Sequence, residues 1–336
     1  MRTVSIEGNV YRLPNVLSTF QRQMYVHFIN WKWKNITKDA GVYSNELYDA
    51  ILPDEYADKF AIVYPDVVEH VKTHLSKYPF RIHEFFNHMV SSQAANINLF
   101  LPILVSDKRD EILRQLKPDL DSVAVSALDN GYQIEFSDEP YWNLNDKTKI
   151  SGTDSDTAIA YYNKQNELCL WLIEHKLTEP DFTNCGGYNS KGRKAQHDCG
   201  KSFAEILENK NLCYQHDVRH FKYWEITEAN QEFFSNHFHN RPCPFSGGLN
   251  QLWRNQLLGL SIEQDERQPY KQVYFSVVHH PDNTSLNHSM QEYTNLISGN
   301  DKFSVFTSKK FVEAAAKLND QSMNKWVDWY KELYKL

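Results

Sequence analysis

Ser151-Gly-Thr-Asp-Ser-Asp156 leads into Thr157-Ala-Ile-Ala-Tyr-Tyr162, and Leu168-Cys-Leu-Trp-Leu-Ile173 leads out to Glu174-His-Lys176. The two middle segments are short, apolar and aromatic, a composition that predicts β-strands. The polar Asn163-Lys-Gln-Asn-Glu167 between them predicts a turn, so the whole stretch is a hairpin. Its second strand is apolar on both faces, as expected inside a sheet that is covered on both sides.

The register of this hairpin brings charged residues together. If the hairpin folds symmetrically about the middle of its turn, Asp156 lies opposite Glu174, with Cβ atoms roughly 4.5–5.5 Å apart. Side chains alternate along a strand, so Glu174 and Lys176 share one face while His175 points to the other. Asp154 would face Lys176, as a second metal ligand or a salt-bridge partner. A slip of one residue would separate the whole set.

Two carboxylates and a lysine at one sheet edge suit a particular chemistry. Asp156 and Glu174 can hold Mg²⁺ or Mn²⁺ and leave positions for water and phosphate oxygens. Lys176 would orient or deprotonate the attacking water, or stabilise charge in the transition state. The alternative is an ordinary solvated strand end, because a bare D…ExK pattern is common by chance. The apolar strand, the mirrored aspartate and Gly152 favour a site that hydrolyses phosphodiesters.

Composition limits the classes of protein that the chain can belong to. Of the 336 residues 41% are hydrophobic, enough for a sizeable core, and mean hydropathy is −0.61. No apolar run approaches the ~20 residues that span a bilayer. The N-terminus lacks the apolar region of a signal peptide. We therefore expect a cytoplasmic protein that does not enter a membrane.

The net charge of −7 does not point to nucleic acid, but charge is unevenly distributed. The segment 185–224 is locally basic, and Lys191-Gly-Arg-Lys194 follows the predicted hairpin directly. Lys191 and Arg193 are therefore candidates for DNA or phosphate binding. The alternative is a solvated loop.

The remaining pattern predicts a mostly helical region over residues 1–120 and an α/β core over 121–336, with a mixed central sheet flanked by helices. No linker marks a second independent domain. The predicted helices are Leu17 to Trp33, Asp66 to Leu75, Ile82 to Leu101 ended by Pro102, Gly248 to Leu258, a helix capped by Thr307 or Ser308 that runs to Leu318, and Ser322 to Leu336. Further strands are predicted at Lys271 to Val278 and Phe303 to Phe306.

The pattern of Gly152-x-x-x-Asp156, followed by Glu174-x-Lys176 at the end of an apolar strand, resembles the PD-(D/E)xK nuclease superfamily. In that superfamily a proline usually precedes the aspartate, and here Ser155 takes its place. The resemblance implies a restriction-endonuclease-like core in residues 121–336, with the helical residues 1–120 packing partly on it.

Most of the chain resembles a bacterial family of restriction-endonuclease-like proteins. The resemblance is carried by three stretches: Phe20-Gln21…Tyr25-Val-His-Phe-Ile29 with Trp31-Lys-Trp33, Ser91-Ser-Gln-Ala-Ala-Asn96 with Phe100, and Gln251-Leu-Trp-Arg-Asn255. It implies a Mg²⁺-dependent DNA endonuclease in defence against foreign DNA. Cutting both strands calls for two active sites, so a homodimer is expected, and an accessory defence protein is a further expected partner.

The superfamily also suggests supporting residues on two helices. A helix before the aspartate strand often supplies an acid or polar group, and Gln93 is favoured over Glu84. A helix after the ExK strand often carries a glutamine near the metal, here Gln251 or Gln256. Arg254 on that helix could bind a phosphate bidentately or pair with a surface carboxylate.

Four of the five cysteines follow the hairpin. Cys169 lies within the apolar strand and is predicted to be a core residue. Some related nucleases hold a four-cysteine iron–sulfur cluster, and zinc bound by cysteines together with His197, His216 or His239 is another option. The spacings of 14, 14 and 30 match no standard ligand pattern, so unrelated buried thiols are the alternative. Disulfides are not expected in a cytoplasmic protein. The four are Cys185, Cys199, Cys213 and Cys243.

Two other functions remain open at this point. The chain could be a nucleic-acid or protein interaction module on a nuclease-like scaffold that needs a partner. It could also cut RNA or a particular nucleic acid structure, because recognition of the 2′-hydroxyl depends on tertiary contacts.

Overall fold

The computed structural model describes residues 2–147, 152–234, 239–297 and 299–336. Ser151 therefore lies outside the described residues. The strands, in chain order, are β1 (Arg2–Ile6), β2 (Asn9–Leu13), β3 (Gly41–Tyr43), β4 (Glu46–Tyr48), β5 (Leu120–Val123), β6 (Tyr132–Phe136), β7 (Ser155–Asn163), β8 (Leu168–Lys176), β9 (Gln272–His279) and β10 (Phe303–Thr307). The helices are α1 (Thr19–Asn35), α2 (Asp54–Ala57), α3 (Val68–Lys77), α4 (Ser92–Leu104), α5 (Arg109–Arg114), α6 (Phe203–Glu208), α7 (Tyr214–Asp217), α8 (Tyr223–Ala229), α9 (Leu249–Glu263), α10 (Asn287–Leu296), α11 (Ser308–Ala316) and α12 (Gln321–Tyr334).

The centre of the fold is a mixed sheet with the order β10-β9-β8-β7-β5, to which β6 adds by pairing with β7. Strands β8, β9 and β10 run parallel, whereas β7 is antiparallel to β8, β5 and β6. The predicted mixed α/β sheet with flanking helices is confirmed. The parallel half needs crossover connections, and these are supplied by the chain through α9 and α10.

The hairpin of β7 and β8 has the predicted register, since Thr157 pairs with Ile173 and Tyr162 with Leu168. Its turn is held by the side chain of Asn163, whose Oδ1 accepts hydrogen bonds from the backbone N–H groups of Gln165 (3.0 Å) and Glu167 (2.8 Å). A polar side chain that bonds the backbone two residues on is a common way to fix a tight turn.

Both faces of β8 are buried, which explains why its sequence is apolar throughout. Trp171 and Ile173 belong to one hydrophobic cluster, which also contains buried residues of α4, α11 and α12. Leu170 and Leu172 belong to a second cluster, together with residues of α9 and α10. Helices therefore cover the sheet on both sides, as the pattern predicted.

The predicted helix from Ile82 to Leu101 was wrong at both ends. The helix α4 begins at Ser92, because Ser91 caps it by accepting a hydrogen bond from the Ala94 backbone N–H (3.2 Å). Pro102 lies inside the helix rather than ending it. Proline has no N–H, so it cannot bond the carbonyl four residues earlier. That carbonyl, of Asn98, accepts a hydrogen bond from Trp326 Nε1 instead (2.9 Å).

The N-terminal region holds two β-hairpins, β1–β2 and β3–β4, that the sequence pattern did not predict. The predicted apolar helix is present as α1, with Ser18 and Gln21 in a capping box. Gln21 also donates a hydrogen bond to the carbonyl of Thr178, just beyond β8 (3.0 Å). This contact fastens α1 to the end of the central hairpin. The proposed division at residue 120 stays a prediction, although one hydrophobic cluster draws residues from both sides of it.

Smaller differences concern helix ends. The helix α9 continues to Glu263, five residues beyond its predicted end. Thr307 occupies the N-cap position of α11 but its side chain makes no capping hydrogen bond. Within the described part of the chain, no helix is both long enough and apolar enough to cross a membrane.

Candidate active site

Three neighbouring strands place three carboxylates in a row. Across β6 and β7, Ile134 pairs with Thr157 and Phe136 with Ser155, which brackets Glu135 beside Asp156. Across β7 and β8, the pair of Thr157 and Ile173 continues to Asp156 beside Glu174. Asp156 and Glu174 are therefore neighbours, as predicted. Glu135 lies on the other side of Asp156 and was not predicted from the sequence.

Glu174 is held on both oxygens. Its Oε1 accepts hydrogen bonds from Lys176 Nζ (2.9 Å) and Gln251 Nε2 (2.7 Å), and its Oε2 accepts one from Asn255 Nδ2 (2.7 Å). The side chains of Glu174 and Lys176 are only 6% and 9% exposed. A buried ion pair requires such further hydrogen bonds to offset desolvation. Of the two predicted glutamines, Gln251 reaches the site and Gln256 lies in the core.

Asp156 is fixed by backbone contacts. Its Oδ2 accepts a hydrogen bond from the backbone N–H of His175 (2.6 Å). From α4, Asn96 Nδ2 donates to the Asp156 carbonyl (2.8 Å) and to Thr157 Oγ1 (2.9 Å). Asn96 therefore ties α4 to the strand that carries the aspartate.

Ser155 makes side-chain hydrogen bonds that a proline in its position could not make. Its Oγ accepts a hydrogen bond from the Ile173 backbone N–H (2.9 Å) and donates one to the Ile173 carbonyl (3.0 Å). The side chain is completely buried. The serine thus locks β7 to β8 next to Asp156, which gives a physical reason for the departure from the superfamily pattern.

Gln93 supports the site through Glu135. Its Nε2 donates to Glu135 Oε1 (2.9 Å) and to the Arg81 carbonyl (3.0 Å), and its Oε1 accepts from the His83 backbone N–H (2.9 Å). The structure thus joins Gln93 to a carboxylate of the cluster rather than to Asp156 itself. The alternation of polar and apolar residues in Tyr132-Gln-Ile-Glu-Phe136 was the signal that could have revealed Glu135.

The carboxylates repel one another in a poorly solvated place. Burial, the Asp154 carboxylate and Glu174 raise the pKa of Glu135 to about 8. Asp154 is exposed in the cleft, but the surrounding protein partly desolvates it, and this together with Glu174 raises its pKa to about 6. Burial raises the pKa of Asp156 well above its ordinary value, and Glu174 and Glu135 add to the shift. Like charges that are held together in this way favour proton uptake or cation binding.

Lys176 is the cation that the carboxylates share. Burial alone would lower its pKa, but Glu174, Glu179 and Asp156 together raise the pKa of Lys176 above its ordinary value. Lys176 therefore stays protonated at neutral pH. Of the roles predicted for it, stabilising negative charge fits this state and deprotonating water does not.

Arg254 holds the segment that precedes β7. Its Nε donates to Thr153 Oγ1 (3.0 Å) and its Nη2 to the Gly152 carbonyl (2.8 Å), with Asp146 Oδ2 at 3.7 Å from Nη2. The partner carboxylate of Asp146 is buried, so the predicted surface ion pair is not what forms. Phosphate binding by Arg254 stays a prediction.

Three lysines of the basic segment after the hairpin form ion pairs with nearby acids. Arg193 donates to the carbonyls of Tyr188 (2.6 Å) and His197, which keeps it within its own loop. Lys191 is exposed on the same loop. DNA binding by Lys191 and Arg193 is untested. The ion pairs are Lys194 with Asp217 (3.1 Å), Lys201 with Glu205 (3.0 Å) and Lys210 with Glu228 (2.9 Å).

A cleft of about 1010 Å³ opens at the carboxylates. Glu135 and Asp154 line it, so solvent reaches the cluster from this side. Its walls carry many aromatic side chains, together with the cations Lys77, Arg81 and Lys147. The aromatic side chains are Tyr78, Phe80, Phe85, Phe136, Tyr141, Trp142 and Tyr270.

Within the described ranges, no three side chains of His, Cys, Asp or Glu are grouped so that they could hold a metal ion as they stand. The donor set nevertheless fits a divalent cation in its chemistry. Oxygen ligands from carboxylates are what Mg²⁺ prefers, and four carboxylates with only Lys176 and Arg254 to offset them leave negative charge that a cation would neutralise. Asp156 and Glu174 are the predicted ligands, and Glu135 and Asp154 are the carboxylates nearest to them by their mutual effects on pKa.

A mixed sheet that gathers carboxylates and a lysine beside one hairpin is the arrangement of the restriction-endonuclease-like class. A family model described as Restriction Endonuclease associating with ARP matches residues 29–335, and the chain belongs to this family. No curated protein and no solved structure matches the chain. The resemblance noted in the sequence is confirmed over nearly the whole chain.

Proposed function

We propose that this protein is a metal-dependent endonuclease that hydrolyses phosphodiester bonds of DNA in defence against foreign DNA. The observation that supports this most is the buried pair of Glu174 and Lys176 next to Asp156, beside Glu135 and Asp154, which line a cleft. Membership of a restriction endonuclease family agrees with it.

In this proposal Asp156 and Glu174 hold Mg²⁺ or Mn²⁺, and Glu135 adds a third carboxylate. When bound, the ion lowers the pKa of a water ligand and neutralises charge on the phosphate. Gln251 and Asn255 hold the Glu174 carboxylate in a fixed orientation. Lys176, protonated by its surroundings, stabilises the negative charge that develops on the phosphate oxygens.

The cleft is suited to a nucleic acid strand. Its aromatic walls offer surfaces on which bases can stack, worth about 1–3 kcal/mol per base. Arg81 offers charge to the backbone, and so can Lys77 and Lys147, which also lie next to Asp129 (3.2 Å) and Glu139 (3.7 Å). Because the net charge is −7, these local cations and the bound metal must attract the phosphates.

The proposal is tested by incubating purified protein with plasmid DNA, single-stranded DNA and RNA, with Mg²⁺ or Mn²⁺ and with EDTA. Asp156→Asn should lower the rate of DNA cleavage at least about a hundredfold, because a metal ligand supplies several kcal/mol to the transition state. Asp121→Asn makes the same chemical change at an exposed strand residue and should cleave like wild type. An Asp156→Asn variant as active as wild type contradicts the proposal.

The family description also names an association with ARP. The second candidate is accordingly an interaction module that acts only with such a partner, and the lack of a preformed group of three metal ligands in the described ranges favours it. Mn²⁺ titration by calorimetry separates the two functions. A nuclease binds Mn²⁺ and loses this binding in Asp156→Asn, whereas an interaction module binds none.

A further inference from the structure

A long irregular segment follows the central hairpin. From Leu177 to Ser202 the described chain forms neither helix nor strand, and the helices α6, α7 and α8 after it are only four to seven residues long. Loops longer than about 12–15 residues are uncommon in compact domains unless something holds or uses them. This segment carries Cys185 and Cys199, and Cys213 and Cys243 follow.

Hydrogen bonds draw the four cysteine-bearing parts together. The backbone N–H of Cys243 donates to the Cys199 carbonyl (3.2 Å). Next to Cys199, the N–H of Asp198 donates to the carbonyl of Leu212, the neighbour of Cys213 (3.1 Å). Helix α7, which begins directly after Cys213, also contacts Cys185, because Gln215 Nε2 on this helix lies 3.9 Å from Cys185 Sγ. Residues up to 58 positions apart in sequence thus meet in one place.

The thiols also affect one another electrostatically. Burial raises the pKa of Cys243 well above its ordinary value, with Cys213, Cys199 and Cys185 adding to the shift. Burial raises the pKa of Cys199 to about 11, with Cys213 and Cys185 among the groups that add to it. Such effects indicate that the four thiols lie within about 10 Å of one another, because electrostatic interactions fade over about that distance.

Two of the three candidate histidines of this region lie next to carboxylates. His197 Nε2 lies 2.9 Å from Asp217 Oδ2, and its Nδ1 accepts from the Lys194 backbone N–H (2.8 Å). His216 Nδ1 lies 3.2 Å from Glu225 Oε1. His239 stacks on Phe203 with ring centroids 5.5 Å apart, and its Nε2 has no hydrogen-bond partner among the described residues. A ligand set of four thiols is therefore favoured over one that includes His197 or His216.

We propose that Cys185, Cys199, Cys213 and Cys243 together bind a thiophilic metal centre, a zinc ion or an iron–sulfur cluster, that holds the irregular segment in place. All four are free thiols that are neither fully buried nor fully exposed. As they stand, no three of them are grouped to hold an ion, so binding must turn the side chains toward a common point. Zinc binding converts four thiols into four thiolate ligands and releases four protons to solvent.

The proposed thiolate centre and the carboxylate site bind different metals. Thiolate ligands select zinc or iron–sulfur centres, whereas carboxylates suit Mg²⁺ and Mn²⁺. The function of the thiolate centre in this proposal is structural. A thiolate-bound metal supplies stability to a small region that has little core of its own.

The test is the metal content of the purified wild-type protein, prepared with zinc and iron supplied and without oxygen. We expect close to one equivalent of zinc, or about four equivalents of iron with an equal amount of acid-labile sulfide and visible absorption. Zinc and an iron–sulfur cluster are distinguished by these two readings. A protein free of both metals, which also fails to bind added Zn²⁺ or Co²⁺, overturns the proposal.

Variants locate the centre within the chain. Cys213→Ser and Cys243→Ser should each reduce the bound metal at least tenfold, whereas Cys169→Ala, which removes the buried thiol of β8, should retain it. Equal metal content in all three variants also overturns the proposal. Because the reading is metal content and not cleavage, failure here leaves the proposed nuclease untouched. Conversely, an inactive Asp156→Asn variant should still carry the metal.

Discussion

Glu135 holds its proton differently in the folded and the unfolded chain. In the unfolded chain its pKa is near the ordinary 4.5, and in the fold burial and neighbouring carboxylates raise the pKa to about 8. Its proton is therefore bound more tightly in the folded protein. Asp154, with its pKa raised to about 6, shifts in the same direction.

These shifts predict how stability depends on pH in metal-free protein. Between pH 4.5 and pH 8 the unfolded chain has released the Glu135 proton and the folded chain retains it. Stability should then fall as pH rises through this window and level off above pH 8. Urea unfolding in EDTA at several pH values between 5 and 9 measures the slope.

The Glu135→Gln variant isolates this contribution, because it keeps a hydrogen-bonding side chain next to Gln93 without a titrating group. Its stability should depend less steeply on pH than that of wild type between pH 5 and 8. Identical slopes in the two proteins would show that Glu135 ionises normally in the fold.

The sequence predicted some site residues and missed others for a physical reason. Asp156 and Glu174 belong to one local hairpin, whose register follows from a short turn. Glu135 lies on a strand that joins through a connection of nearly twenty residues, and its own backbone has a positive φ of 52°. The alternation in residues 132–136 indicates a strand, but it does not tell which strand lies next to it, and only the pairing with β7 brings Glu135 beside Asp156.

At the scale of elements, the hydrogen bonds by which Ser155 of β7 holds Ile173 of β8 should contribute measurably to stability. Ser155→Ala removes the hydrogen bonds of a buried hydroxyl to the N–H and carbonyl of Ile173 and to the carbonyl of Thr157. Losing a buried hydrogen-bonding partner costs about 1–3 kcal/mol, so a loss in this range is expected. Chemical denaturation gives the value.

The matched control is Ser76→Ala, which removes an exposed hydroxyl that bonds only the nearby Thr73 carbonyl. Its effect should stay within about 0.5 kcal/mol of wild type. If Ser155→Ala is equally mild, the hydroxyl does not hold the hairpin register.

The ends of the strands were predicted more accurately from the sequence pattern than the ends of helix α4. The strands β7, β8, β9 and β10 were predicted within three residues at either end, because their apolar runs are bounded by polar turns. The start of α4 was not, since an apolar segment precedes Ser91 without being helical. The effect of Pro102 depended on a tryptophan more than two hundred residues away, which no local rule could supply.

For the molecule as a whole, the C-terminal helix α12 completes the core on one side of the sheet. Trp326 is fully buried there and donates to the Asn98 carbonyl, whereas Trp329 on the same helix is only partly buried. Trp326→Ala should therefore destabilise the protein by about 3–5 kcal/mol. Trp329→Ala should cost clearly less, and urea denaturation of both variants compares them. Equal losses would contradict this account of the core.

Gln251 links parts of the molecule that have separate functions. Its Nε2 holds Glu174, while its Oε1 accepts a hydrogen bond from the backbone N–H of Thr183 (2.9 Å), two residues before Cys185. The orientation of a carboxylate in the candidate active site is thus thermodynamically coupled to the order of the irregular segment. By reciprocity, whatever loosens that segment weakens the hold on Glu174, and whatever stabilises Glu174 also stabilises the segment. One amide side chain would therefore connect the proposed nuclease site with the proposed thiolate centre.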